Sequence, residues 1–581
     1  MKRHPSVRFI QALAIAAACW LSSGTLSLAG DLPRLADERP WAAAEHPGVK
    51  LPAQELTGQL VYELLLAEIA AQRDHFGVAV DTYLQLARST HDPRVAHRAT
   101  EVALYAHDLK AAQEAIGLWL TEDPGSNGAR EALASIILSQ PKMPDVGDQL
   151  AALLADDNTD RARDFRNINI IFMQHPDHEG ALALSRRLAE PYPQLPEAHY
   201  LVGSAAFVAG QNELALTEAR EASRLKPGWE ASALLEARVL QGQDSAQARS
   251  FYQDFLEHYP QARDFRLLYA RYLVELKDYR GAREQFNVIL KEAPQNPDLT
   301  LAVALLTLQL KDYAAATPLF EKALELGYRD PDAIRFYLGE AYEEQKKWAE
   351  AAQWYGAVAA GEQLTAARIR VALMWARQNQ LKKALEMVRA VPVNTPEQRE
   401  QRVLAEEQML REAGDYQGAF DTLTAALRRM PDSADLLYER AIVSDKLDRM
   451  DVLEQDLRRV IVLRPEYAHA YNALGYSLAD RSVRLDEALS LIQKAESLAP
   501  DDPFIMDSLG WVQFRMGHIQ DAITTLKRAY AAQDDPEIAA HLGEVLWVSG
   551  DQTGALKTWE KSLKANPDNE ALQATMHRFL H

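Results

Sequence analysis

The sequence predicts an all-α fold: a solenoid of about fifteen helical hairpins wound into a right-handed superhelix. Three observations lead there. A small residue returns every 33 to 35 positions through most of the 581 residues, and a proline recurs at the matching break. Outside this pattern no segment is large enough for a different kind of domain.

The first 29 residues read as a secretory signal peptide. A basic start, Lys2, Arg3 and Arg8, precedes an apolar stretch from Phe9 to Leu21 that is too short to span a bilayer. Ser27 and Ala29 stand at the −3 and −1 positions of a signal-peptidase site. A second reading stays open. Cys19, the single cysteine, follows three alanines as in a lipoprotein box, although Ala16 stands where a leucine is usual. The mature chain then begins either at Gly30 or at a lipidated Cys19. In both cases no disulfide forms within one chain. Residues 30–56, rich in Pro and Ala and without a period, read as a linker.

From residue 57 the repeat takes over, divergent over 57–160 and regular over 161–567. The recurring small residue is Ala181, Ala215, Ala248, Ala282, Ala316, Ala351, Ala384, Ala419, Ala488, Ala522 and Ala555, with Leu453 in the one odd unit. Ala79, Ala111 and Gly147 take the role upstream, for a mean period of 34. Twelve places before it stands a second small residue, as at Gly203, Ala270, Ala304, Gly339, Gly510 and Gly543. Two antiparallel helices that cross closely need Gly or Ala at the contact. Units end in Pro193, Pro227, Pro260, Pro294, Pro431, Pro465, Pro500 and Pro567, because proline cannot continue a helix interior. "KDY" at Lys277–Tyr279 and Lys311–Tyr313 supplies the turn between helices. A 34-residue helical repeat of this kind is the tetratricopeptide signature, so the fold class is a tetratricopeptide-repeat α-solenoid. Residues 568–581 supply a capping helix, with Leu572, Met576 and Phe579 on one face.

The stretch "DPFIMDSLGWVQFRMG", Asp502 to Gly517, is one such first helix. Asp502 is placed to cap it, Pro503 starts it, and Met506 and Leu509 fall on the stripe packing within the hairpin. Phe504, Asp507, Trp511 and Phe514 share another face, which in this repeat class lines the concave side. Periodicity places Tyr200, Phe207, Phe336, Tyr438, Tyr476 and Trp547 there too, with Glu197, Asp264, Glu340, Glu343, Asp435, Glu537 and Glu544 beside them. An aromatic and acidic groove suits extended or basic protein segments. Trp511 also has the size to pack between neighbouring hairpins. A basic clamp for C-terminal carboxylates is not expected: Arg271 is one of few inward cations and Asn472 lacks basic companions.

Signals for chemistry fail one by one. His178-Glu179 begins like a zinc-protease helix, but Leu182 stands in place of the second His. Ser223 and Lys226 have Ser-x-x-Lys spacing at a helix end, where a solvated surface is the ordinary outcome. In Asp156–Asp160, Arg161 occupies the place of the tight-turn glycine of a calcium loop. The fifteen histidines lack ligand spacing. No cofactor, metal or catalytic set is expected. A formal charge of −20, more acidic once the leader is lost, opposes binding of nucleic acid or anionic lipid.

Two stretches are more specific than the repeat itself: "VYELLLAEIAAQRDHFGVAVDTYLQLARSTHDPRVAHRATEVALYA", Val61 to Ala106, and "AYNALGYSLADR…DEALSLIQKAESLAPDDPFIMDSLGWVQFRMG", Ala470 to Gly517. Through them the chain resembles a proteobacterial family of exported tetratricopeptide proteins. A Pseudomonas member of that family is an outer-membrane lipoprotein that partners a periplasmic carboxy-terminal processing protease and helps it degrade cell-wall hydrolases. The resemblance implies a periplasmic, non-catalytic protein-binding adaptor, membrane-attached only through a lipid on Cys19. The alternative is a scaffold for another envelope machine, in polysaccharide export or outer-membrane assembly. No single functional residue carries over.

Overall fold

The computed structural model describes residues 51–155, 160–567 and 569–580. Those residues form 31 helices and no strand, as the repeat predicts. In chain order the helices make fifteen consecutive pairs and a last single helix, Glu570–Leu580. The leader, Cys19 and the linker up to Lys50 lie outside the described residues, as does most of the Asp156–Asp160 run. The chain divides into two compact units, Met1–Leu310 and Lys311–His581.

Local chemistry starts and stops each helix. Asp502 accepts from the backbone N–H groups of Phe504 (2.9 Å) and Ile505 (3.3 Å), with Pro503 in the first turn. Such a cap is worth about 1 kcal/mol. In the "KDY" turn Lys277 takes a left-handed conformation, φ 60°, and Asp278 then caps the next helix through the Gly281 N–H at 3.0 Å. Lys311 and Asp312 repeat the device. The prolines that end the units all lie between helices.

The small residues sit where the period puts them. Ala79, Ala215, Ala248, Ala282, Ala316, Ala351, Ala384, Ala419, Ala488, Ala522 and Ala555 have no exposed surface, and Leu453 and Ala181 keep 2%. At the second hairpin the tighter residue is Ala112, fully buried, one place after Ala111. The opposing glycines are equally constrained. A Cβ on Gly510 would stand 2.5 Å from Leu526 Cγ, and one on Gly475 would stand 2.9 Å from the Ala488 carbonyl oxygen. Ala488→Leu is therefore expected to cost about 1–3 kcal/mol by overpacking, with the damage confined to neighbouring hairpins. Thermal unfolding of that variant checks it; an unchanged midpoint would misplace the contact.

One packing expectation is corrected. Met506 does meet Ala529 of its own hairpin, together with Ile538 of the next. Leu509 instead joins the core that runs back through Ile492 and Ala495 of the preceding hairpin. Every residue from Ile505 to Val512 is buried, because a first helix inside the array is packed on both flanks. At the end of the chain, Leu572 is fully buried and Met576 and Phe579 are half-buried against Trp559.

Candidate protein-binding surface

The aromatic residues expected on the first-helix face are there, but each is packed against a neighbour. In the first unit Tyr200 rests on Trp229, centroids 5.0 Å apart, and Lys226 lies 4.7 Å over the same indole. Phe207 is half-buried beside Val202, Ala205 and Val239. In the second unit Phe336 meets Tyr355 edge-on at 5.2 Å, and Tyr438 meets Tyr467 at 5.4 Å. Phe504 packs with Met506 and Tyr530. Trp547 stacks on Trp559 at 5.8 Å and faces Phe579 at 6.2 Å.

Four of the expected residues come together around one that the sequence did not single out, His541. Its Nδ1 lies 2.8 Å from an Asp507 carboxylate oxygen, and its ring stacks on Trp511 at 4.3 Å. The Tyr476 hydroxyl is 3.4 Å from its Nε2. Phe514 closes the cluster at 5.4 Å from Trp511. Trp511 is 4% exposed and donates from its indole N–H to Asp480 at 3.3 Å. It thus bridges the preceding hairpin and the following one. Burial pushes the His541 pKa down, but Asp507 at contact, with Glu544 and Asp480 nearby, outweighs burial and raises it. Burial drives the Tyr476 phenol well above its ordinary range, and Asp480 and Asp507 add to the rise.

The acidic companions are largely consumed in the same way. Glu197, 3% exposed, binds Lys226 at 2.8 Å and Arg166 at 3.4 Å. Lys226 is thus an ion-pair partner, while Ser223 bonds Ser232, so the two form no dyad. Glu343 takes Arg370 at 3.0 Å, Arg377 at 3.2 Å and the Tyr355 hydroxyl at 3.0 Å. Asp435 pairs with Arg464, and Glu544 with Arg578 of the capping helix. Asp264 and Glu537 stay exposed. Glu340 is half-buried; burial chiefly, with Glu343 and Glu344 adding and Arg370 opposing, pushes it up to about 7. The expectation of few inward cations is also corrected. Arg370, Arg377, Arg411 and Arg440 on first helices, and Arg481 capping one, bind carboxylates. For Arg370 and Arg377 with Glu343 and Arg481 with Asp445 the signal was in the sequence: opposite charges 27 to 36 positions apart, close to one repeat.

The sequence also passed over an apolar series on the first unit. Tyr105, Leu138 and Met173 stand at the ends of three successive first helices, in steps of 33 and 35, and are 73%, 44% and 36% exposed. Phe207 continues the series one repeat on. Tyr105 leans on Phe76 at 5.2 Å yet stays largely exposed, and with Leu138 and Met173 it leaves the most apolar surface open on the first-helix face.

Glu407 departs from the repeat. It falls twelve places before Ala419, where most units carry Gly or Ala, and it is 1% exposed; Glu236, 6% exposed, holds the same place before Ala248. Arg411 donates to it at 2.6 Å. Burial pushes it up to about 7, against the pull of Arg411 and with a further push from Glu439 and Glu412. Among the described residues His, Cys, Asp and Glu form no group of three placed to hold a metal, and no helix is long and apolar enough to cross a membrane.

Sequence patterns of the tetratricopeptide repeat match residues 239–306, 301–365, 454–503 and 508–570. The TPR repeat-containing protein PA4667 of Pseudomonas aeruginosa is 37% identical over 477 residues, which span 81% of this chain and 79% of that one. Among solved structures, the thermophilic TPR protein TTC0263 of Thermus thermophilus is 26% identical over 31% of this chain and 98% of its own, with a TM-score of 0.29. A tetratricopeptide repeat protein of Parabacteroides merdae is 14% identical over 43% of this chain and 99% of its own, with a TM-score of 0.36. Tetratricopeptide repeats act as protein-interaction scaffolds. With the 34-residue hairpin repeat and an identity of 37% across four-fifths of both chains, this chain belongs to the tetratricopeptide-repeat proteins.

Proposed function

We propose that the protein is a non-catalytic, exported adaptor that holds a carboxy-terminal processing protease together with the cell-wall hydrolases it degrades. One observation carries the reading: hairpin repeats run through the described chain, and the titratable residues brought together on them are spent on one another. Asp507 with His541, Glu343 with Arg377 and Glu197 with Lys226 are structural pairs. What remains for partners is apolar surface such as Tyr105, Leu138 and Met173 and the rims of half-buried aromatics. The stretches Val61–Ala106 and Ala470–Gly517 supply the resemblance to exported adaptors. The leader supports export, with either Cys19 or Gly30 as the mature first residue.

Tagged protein recovered from an envelope extract is expected to bring with it a protease of the processing class. Added to that purified protease, it should speed degradation of a cell-wall hydrolase. Recovery of polysaccharide-export or outer-membrane assembly components without the protease would replace this reading by the scaffold one. The mass of the N-terminal peptide in the same preparation distinguishes a lipid on Cys19 from a free Gly30.

A further inference from the structure

The first described helix, Gly58–Gln72, is apolar on two faces. Ala67 and Ala70 are buried and, with Leu60 and Leu64, join the core of the first unit. Tyr62, Leu65, Leu66 and Ile69 lie on the other side and are 61%, 57%, 37% and 47% exposed. At 3.6 residues per turn these four span a stripe about 100° wide, the width of a face made for burial.

Their counterparts inside the array show what such a face receives. Four repeats on, Tyr62, Leu65, Leu66 and Ile69 correspond to Ala198, Leu201, Val202 and Ala205, which are 1%, 0%, 5% and 4% exposed. Seven repeats on they correspond to Leu299, Ala302, Val303 and Leu306, none more than 5% exposed. The hairpin-5 face is covered by the helix His178–Ala189: Leu184 and Leu188 share a core with Ala198 and Leu201, and Leu182 shares one with Val202 and Ala205. The face on Gly58–Gln72 is the continuation of that recurring interface, and the piece that fits it is an α-helix. In the chain's own residues 30–50, Pro33, Pro40 and Pro47 leave runs of only six residues between them, shorter than the fourteen of a covering segment such as 177–190. Gly58–Gln72 carries no Lys or Arg; its Glu68 is already held by Arg98 at 3.0 Å and Tyr83, while Glu63 is bonded by the neutral Gln59, which favours a partner with a basic flank near Glu63.

We propose that the outer face of Gly58–Gln72 docks an amphipathic α-helix of a separate protein, with leucine and alanine on one side and Lys or Arg at its edges. The site completes the solenoid stack with a helix supplied in trans. This inference does not depend on which protein the adaptor serves.

The probe is a labelled peptide of residues 177–190, the segment that covers the equivalent face within the array, titrated into the purified protein. Saturable binding with a gain of helicity in the peptide is expected, weakened at least tenfold by Leu65→Glu with Ile69→Glu. Both side chains are about half exposed, so the variant should fold, as circular dichroism will check; Tyr62→Ser gives the same direction with a smaller change. Absence of binding to the wild type, or equal binding to the variants, overturns the proposal. A wild-type dimer that the double variant dissolves would assign the face to a second copy and overturn it too. So would binding that appears only after residues 30–50 are deleted, which would make the chain's own segment the occupant.

Discussion

Trp559→Ala is expected to destabilise the C-terminal end of the array by about 3–5 kcal/mol, the range for emptying a buried aromatic site. Trp559 is fully buried and holds three elements at once. Its indole N–H donates to the Ala540 carbonyl at 3.3 Å, Trp547 stacks on it at 5.8 Å, and Phe579 of the last helix lies at 6.0 Å. Gly543 faces the ring so closely that a Cβ there would collide with it. Without the indole, the helix Glu570–Leu580 keeps Leu572 and the Arg578–Glu544 pair but loses its aromatic floor. Because repeat stability is a sum over nearest neighbours, the loss should stay local. Hydrogen exchange should rise in Gln552–Ala565 and Glu570–Leu580 and stay unchanged in the first unit. Wild-type exchange in those two helices would mean that Trp559 does not hold the end together.

The second large effect depends on pH. Glu407 has a folded pKa of about 7, raised first by burial, so the folded state keeps its proton longer than the unfolded chain does. The stability this contributes is fully present below the ordinary carboxylate range and is lost as pH rises through about 7. A rise of this size corresponds to about 3 kcal/mol between the two limits. Glu407→Gln retains an acceptor for Arg411 and cannot ionise. The variant should match the wild type near pH 3.5, below the unfolded carboxylate pKa, and exceed it by up to about 3 kcal/mol at pH 8, with the gain centred on the hairpin Pro396–Leu427. Urea unfolding or exchange of that hairpin at both pH values measures this. A wild-type-to-variant difference that does not change with pH would show that Glu407 is not held protonated. His541 acts in the same direction, since its raised pKa contributes stability at low pH that is lost as pH rises.

Much of the architecture was legible because repeat architecture is written in local rules. Gly510 and Ala522, Pro503 and Asp502, Lys277 and Asp278 each specify a contact, a start or a turn within a few residues of themselves, and the period repeats the instruction. The surface was legible only in part. Trp511 reads as an inter-hairpin wedge ahead of a groove residue, and its two partners, Asp480 and His541, are named only by the structure. Asp507 reads as a free acid until its histidine is found one repeat away.

The sequence by itself determined the helical class, the hairpin, the number of repeats and the residues at each crossing, since all of these follow from small residues, caps and prolines at a fixed period. Only the tertiary structure decided which first-helix side chains are consumed and which are left. Stacking brings each side chain against others about one repeat away. The Coulomb attraction and burial at those meetings depend on which side chains reach each other across the stack. They bind Glu343 to Arg377 and Asp507 to His541, and among the described residues they leave Tyr62, Leu65 and Ile69 on the outer face of Gly58–Gln72 exposed where the interior counterparts are covered.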